Sequence, residues 1–126
     1  MSFENIYSKK VLEHVRSPKN MGEIKNPDGV ATVGNRRCGD IMKLYIKVKK
    51  NIISDIKFQT LGCGAAIATS SIITTMVKGK PLSEAEKITN AAIAQALGGL
   101  PAAKLHCSLL AADALKAAIA NYRKNR

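Results

Sequence analysis

At 126 residues, with 20 Lys and Arg against nine Asp and Glu, the chain carries a formal charge of +11 and is long enough for one domain that folds without a staple. Three cysteines and no apolar leader after Met1 predict a reducing, cytoplasmic setting, where clustered cysteines bind metal or react rather than pair, and no apolar run is long enough to span a bilayer. The positive charge invites nucleic acid, but the basic residues are scattered, the few Tyr and Phe form no stacking run and no DNA-binding spacing appears, so nucleic acid and membrane partners are both set aside.

Residues 1–17 read as a helix, with Val11, Leu12 and Val15 at helical spacing and Ser17-Pro18 ending it. His14 within it reads as an ordinary surface or packing histidine. Residues 18–29 hold Pro18, Gly22, Pro27 and Gly29 and read as loop, and Val30 to Val33 as a short strand. From Ile41 to Val48 the pattern alternates: Met42, Leu44, Ile46 and Val48 face one way, Lys43 and Lys47 the other. Lys49-Lys50-Asn51 turns the chain. Ile52, Ser54, Ile56, Phe58 and Thr60 then alternate again, which predicts an antiparallel hairpin. Ala65 to Val77, rich in small and β-branched residues, reads as a buried helix stopped by Lys78-Gly79-Lys80-Pro81. Ser83-Glu84-Ala85-Glu86 reads as a capping box opening a short helix, and Asn90 to Leu97 as another, closed by Gly98-Gly99. Leu100 to Lys104 reads as an extended linker. The last helix runs from Leu105 to about Tyr122, with Leu109, Leu110, Ala114, Leu115 and Ala118 on its apolar side and a cationic end.

Each cysteine sits where an element begins. Cys38 precedes the first strand of the hairpin and Cys63 follows the second, so the hairpin brings both to one end of the sheet. Gly62 and Gly64 flank Cys63, permit turn conformations and let another group approach the backbone. A thiol at such a helix start has its pKa drawn down from about 8.5 towards neutrality. Cys107 stands near the start of the last helix, directly after His106. Three thiols, the Asp40 carboxylate and the His106 imidazole make a four-coordinate site with one ligand to spare. Thiolates select zinc, copper(I) or iron–sulfur centres. Stable zinc and ferredoxin sites use paired Cys-x-x-Cys knuckles, and this chain has none. Its ligands lie on separate loops, and Asp40 or His106 holds iron less tenaciously than a thiolate does. That arrangement suits assembling and releasing a cluster. A structural zinc domain is the second reading. A cysteine enzyme is the third, weakened because His106 adjoins Cys107, whereas an activated pair usually comes from distant positions.

Three segments carry a resemblance: Cys38-Gly39-Asp40-Ile41-Met42-Lys43-Leu44, Gly62-Cys63-Gly64-Ala65-Ala66-Ile67-Ala68-Thr69-Ser70-Ser71, and Lys104-Leu105-His106-Cys107-Ser108-Leu109-Leu110-Ala111. Together, and with Tyr7-Ser8-Lys9-Lys10-Val11 near the start, the chain resembles the IscU / NifU N-terminal-domain family of iron–sulfur cluster assembly scaffolds nearly end to end. The resemblance implies one compact α+β domain over residues 1–126, a small three-stranded antiparallel sheet with helices packed on it. It implies that Cys38, Cys63 and Cys107 bind the cluster, and that Asp40 supplies the fourth ligand or tunes lability. His106 matches the alternative ligand, and Lys104 a lysine able to pair with Asp40 when the site is empty. Family members are scaffolds, not enzymes. They take sulfur from a cysteine desulfurase, take iron, build a labile [2Fe-2S] cluster and pass it to acceptor proteins. The same pocket can hold a single zinc or iron ion, and a homodimer is compatible with the family. Two departures stand out. Where bacterial members carry Leu-Pro-Pro-Val-Lys for a dedicated Hsp70-type chaperone, this chain has Leu100-Pro101-Ala102-Ala103-Lys104, which argues against such a partner. Arg36 and Arg37 replace small or apolar residues before Cys38 and favour anions there.

Overall fold

The computed structural model describes residues 8–35, 40–100 and 104–125. The described elements are α1 (Lys9–Arg16), β1 (Gly29–Asn35), β2 (Asp40–Lys49), β3 (Ile52–Leu61), α2 (Gly64–Val77), α3 (Leu82–Ala85), α4 (Asn90–Ala96) and α5 (Leu105–Lys124). The three strands form one antiparallel sheet in chain order. One face carries Met42, Leu44 and Ile46 from β2 with Ile56 and Phe58 from β3, and all five are buried. Helices α2 and α5 contribute Ile73, Val77, Leu115 and Ile119 to the same core. Each such side chain, fully buried, contributes about 1.5–3 kcal/mol of transfer free energy. Among the described residues no helix is long and apolar enough to cross a membrane.

The alternation in β2 is as the sequence predicts, but β3 changes phase. A register shift between Lys47 and Val48 puts Ile53 in the core and leaves Ile52 39 % exposed. One extra residue in a ladder reverses the facing of everything beyond it. Ile52 and Ser54 therefore do not share the face of Ile56 and Phe58. Strand β1 is longer than the Val30–Val33 core of its pattern, because β2 pairs with it from Gly29 to Asn35. The capping box is also corrected. Helix α3 begins at Leu82 with Pro81 as its N-cap and no side-chain cap. The Leu82 amide donates to the Asn51 carbonyl at 2.9 Å and its side chain is buried, which fixes the helix start ahead of Ser83. The first helix is capped by Ser8, whose Oγ accepts from the Val11 amide at 3.2 Å. The part of that predicted helix before Ser8 lies outside the described residues.

Helix α2 is buried on nearly every side, including Thr69, Ser70, Ser71 and Thr74. Its hydroxyls are satisfied locally: Thr69 donates to the Ala65 carbonyl at 2.9 Å and Ser70 to the Ala66 carbonyl at 2.8 Å. Ser71 works at longer range. Its Oγ accepts from the Lys19 amide at 2.7 Å and lies 2.6 Å from His14 Nδ1. The histidine thus ties α1 to α2 and is a packing residue, as the sequence suggests.

Burial lowers the His14 pKa below its ordinary 6.5, with Lys19 and Lys10 acting the same way against an opposing pull from Glu13. Protonation is then harder in the folded chain than in the unfolded one. The group's contribution is complete above the unfolded pKa and is lost as pH falls through the lower folded value. Denaturant midpoints measured from about pH 7 down to pH 5 are expected to fall, and His14→Gln to flatten that part of the profile.

Candidate metal centre

Asp40 is the first residue of β2, paired with Asn35 of β1. The pairing of Ile41 with Leu61 brings the end of β3 alongside, and the chain then passes through Gly62 to Cys63, the N-cap of α2. From the other side α5 starts at Leu105, so His106 and Cys107 lie in its first turn. Successive helical residues point about 100° apart. Cys107 is fully buried, whereas the His106 side chain is 40 % exposed. One faces the interior and the other forms the rim.

These elements meet on the Asp40 carboxylate, which is only 4 % exposed. Its Oδ1 accepts the Cys63 amide at 3.1 Å. Its Oδ2 accepts from His106 Nε2 at 2.9 Å and from the Cys107 thiol at 3.7 Å. Cys107 Sγ is 3.6 Å from His106 Nε2 and 3.8 Å from Cys63 Sγ. One ligand atom from each of Asp40, His106 and Cys107 lies within 4.8 Å of the others. Ala65 and Ala66, in the first turn of α2, pack on Cys107 as a small cluster apart from the main core. Their short side chains leave room for sulfur. Two helices, α2 and α5, start here, so the positive ends of two helix dipoles gather where thiolates would sit.

The electrostatics have two sides. Burial alone would push the Asp40 pKa up. The hydrogen bonds from His106 and the Cys63 amide, the His106 charge and the Cys107 thiol outweigh it and hold the carboxyl below its ordinary value. Cys107 moves the opposite way. Burial, then the nearby Cys63 and Asp40, push its thiol far above the usual range. Cys107 is therefore a thiol at neutral pH, and a metal bound there would have to displace that proton.

Of the five ligand candidates from the sequence, Asp40, Cys63, His106 and Cys107 are brought together, and Cys38 lies outside the described residues, as do Arg36, Arg37 and 101–103. The sequence offers Asp40 and His106 as alternatives, whereas here they are hydrogen-bonded partners. What the sequence does not signal is the amide of Cys63 as a fixed donor to Asp40. The alanine floor under Cys107 is equally silent, because alanine carries no chemical signature.

The chain matches the family of NifU-like N-terminal domains over residues 6–126. It is 63 % identical over 121 residues to iron-sulfur cluster assembly scaffold protein IscU 1 of Archaeoglobus fulgidus, covering 95 % of this chain and 79 % of that one. It is 52 % identical over 124 residues to iron-sulfur cluster assembly scaffold protein IscU of Escherichia coli strain K12, covering 95 % of this chain and 96 % of the relative. A crystal structure from Fervidobacterium islandicum AW-1, described as an iron-sulfur cluster assembly scaffold for the SUF system, superposes with a TM-score of 0.75 at 26 % identity. That match covers 94 % of this chain and 99 % of that one.

Half-buried Cys63 and fully buried Cys107 differ in access, and Cys107 is held protonated. In metal-free, reduced protein near neutral pH, iodoacetamide is expected to modify Cys63 more than about tenfold faster than Cys107, as read by peptide mass mapping.

Proposed function

The chain belongs to the NifU-like N-terminal domain family, and we propose that as an iron–sulfur cluster assembly scaffold it builds a labile [2Fe-2S] cluster at the Asp40 end of the sheet. The observation that carries this reading is the meeting of soft thiols with one hard carboxylate and one imidazole, the ligand atoms of Asp40, His106 and Cys107 within 4.8 Å and Cys63 Sγ 3.8 Å from Cys107 Sγ. Cys38, Cys63 and Cys107 supply three thiolates. Asp40 supplies the fourth ligand, and His106 replaces it when Asp40 is withdrawn. A carboxylate on iron exchanges more readily than sulfur, so the position that Asp40 fills is the one through which an acceptor's thiol enters. The assembled site is net negative, which the starts of α2 and α5 favour.

Sulfur comes from a cysteine desulfurase, with iron and reducing equivalents, and the cluster goes to acceptor proteins in a reducing cytoplasm. Partners have an apolar rim to dock on: Leu61 beside Cys63 is 71 % exposed, and Leu105 and Leu109 beside His106 are 42 % and 49 % exposed. Arg36 and Arg37 add positive charge near Cys38. With one proline in place of two, the Leu100–Lys104 segment is a poorer recognition element for an Hsp70-type chaperone. A homodimer meeting through this rim would shield a bound cluster from water.

A single zinc ion also suits this mixed donor set, as cargo of the cluster-free form. A zinc-dependent fold is a different matter. The core of sheet, α2 and α5 is assembled from buried apolar side chains away from the four donors. Treatment with a strong chelator is expected to leave far-UV circular dichroism and a cooperative unfolding transition in place, with a lower midpoint; loss of both would mark a structural zinc domain. In anaerobic reconstitution with iron and sulfide, Asp40→Ala is expected to assemble a coloured cluster but to hand it to an apo-acceptor about tenfold more slowly. A wild-type transfer rate in Asp40→Ala would remove Asp40 from the mechanism.

A further inference from the structure

Gly62 occupies an exposed position between β3 and α2, with a φ outside the left-handed region. Neither burial nor backbone conformation calls for glycine there. Space does. A Cβ on Gly62 would collide with Asp40 Oδ1 and would lie 3.2 Å from both Asp40 Cγ and Ala66 Cβ. The carboxylate has little freedom to yield. Its Oδ1 holds the Cys63 amide at 3.1 Å and its Oδ2 holds His106 at 2.9 Å. Its backbone is fixed in the β1–β2 ladder, where Gly34, at φ 145°, lets β1 close on the Asp40 carbonyl.

We propose that Gly62 is a positioning residue, kept free of a side chain so that the Asp40 carboxylate can lie across the β3–α2 turn with one oxygen on the Cys63 amide and the other towards His106 and Cys107. Any side chain at this position rotates the carboxylate off the turn and away from the ligand position. The consequence for cluster lability rests on the role given to Asp40 above. The packing claim does not.

A double-mutant cycle of Gly62→Ala, Asp40→Ala and the combined variant tests the packing in metal-free protein by thermal unfolding. Gly62→Ala is expected to lower Tm by about 4 °C or more in the wild-type background and by less than half as much beside Asp40→Ala. Equal losses in the two backgrounds would overturn the proposal. If Gly62→Ala does not fold, a folded combined variant supports it; an unfolded one, or rescue by Ala66→Gly instead, overturns it. The second readout is the visible absorption of the cobalt(II)-loaded protein, which a purely structural weakening does not move. Gly62→Ala is expected to shift those bands in the same direction as Asp40→Ala. A wild-type spectrum in Gly62→Ala against an altered one in Asp40→Ala overturns positioning. A wild-type spectrum in Asp40→Ala itself counts against the ligand role of Asp40, and the unfolding cycle then decides the packing alone.

Discussion

One buried carboxylate joins β2, the β3–α2 turn and the first turn of α5. Asp40 does this with two oxygens, one on the Cys63 amide and one on His106 and Cys107. A charge at 4 % exposure is costly unless it is paired and hydrogen-bonded. Here the pairing groups among the described residues, the Cys63 amide, His106 and Cys107, belong to the candidate site. The tie therefore does little that apolar packing could not do for stability. Its distinctive result is placement: two sulfurs, one imidazole and one carboxylate oxygen are held within a few ångströms before any metal arrives. Were Asp40 to ligate iron, as proposed above, it would give up one or both of these protein partners.

Such a preformed but exchangeable site needs a fold that does not depend on it. The sheet and the two long helices provide that. Met42, Leu44, Ile46, Ile56 and Phe58 bury one face of the sheet under α2 and α5. Helix α2 is wedged inside the domain, so its N-cap, Cys63, is positioned by packing along the whole helix. Among the described residues, Ala65 and Ala66 pack on Cys107 in a small apolar cluster, with Cys63 and Leu100 at the margin. Close packing in the core and small side chains at the site give rigidity where ligands are anchored and room where cargo enters.

Much of this was legible in the chain. The alternation from Ile41 to Val48 gives β2 and its buried face, and the small-residue run from Ala65 gives α2 with Cys63 at its start. These are local patterns, and local patterns report local structure. The bulge after Lys47 was not legible, because Ile52 and Ile53 are equally apolar and only the ladder decides which is buried. The false capping box failed for a related reason: a hydrogen bond from Leu82 to Asn51, far back in the chain, outweighed the local signal. The tie from His14 to Ser71 spans 57 positions and that from Asp40 to His106 spans 66. No spacing rule encodes such pairs. The sequence already sets His14 aside as a surface or packing residue and offers His106 to the site, but only the fold supplies their partners.

In the role proposed above, Asp40 completes a site otherwise made of cysteine sulfur and thereby makes the cargo exchangeable. An anaerobic crystal structure of the cluster-loaded protein decides this. The expected result is two irons at the Asp40 end of the sheet, bonded to Cys38, Cys63 and Cys107, with an Asp40 oxygen at the fourth position. A cluster bound elsewhere, or bound here with the Asp40 carboxylate still turned to the Cys63 amide and His106 and making no bond to iron, would contradict it.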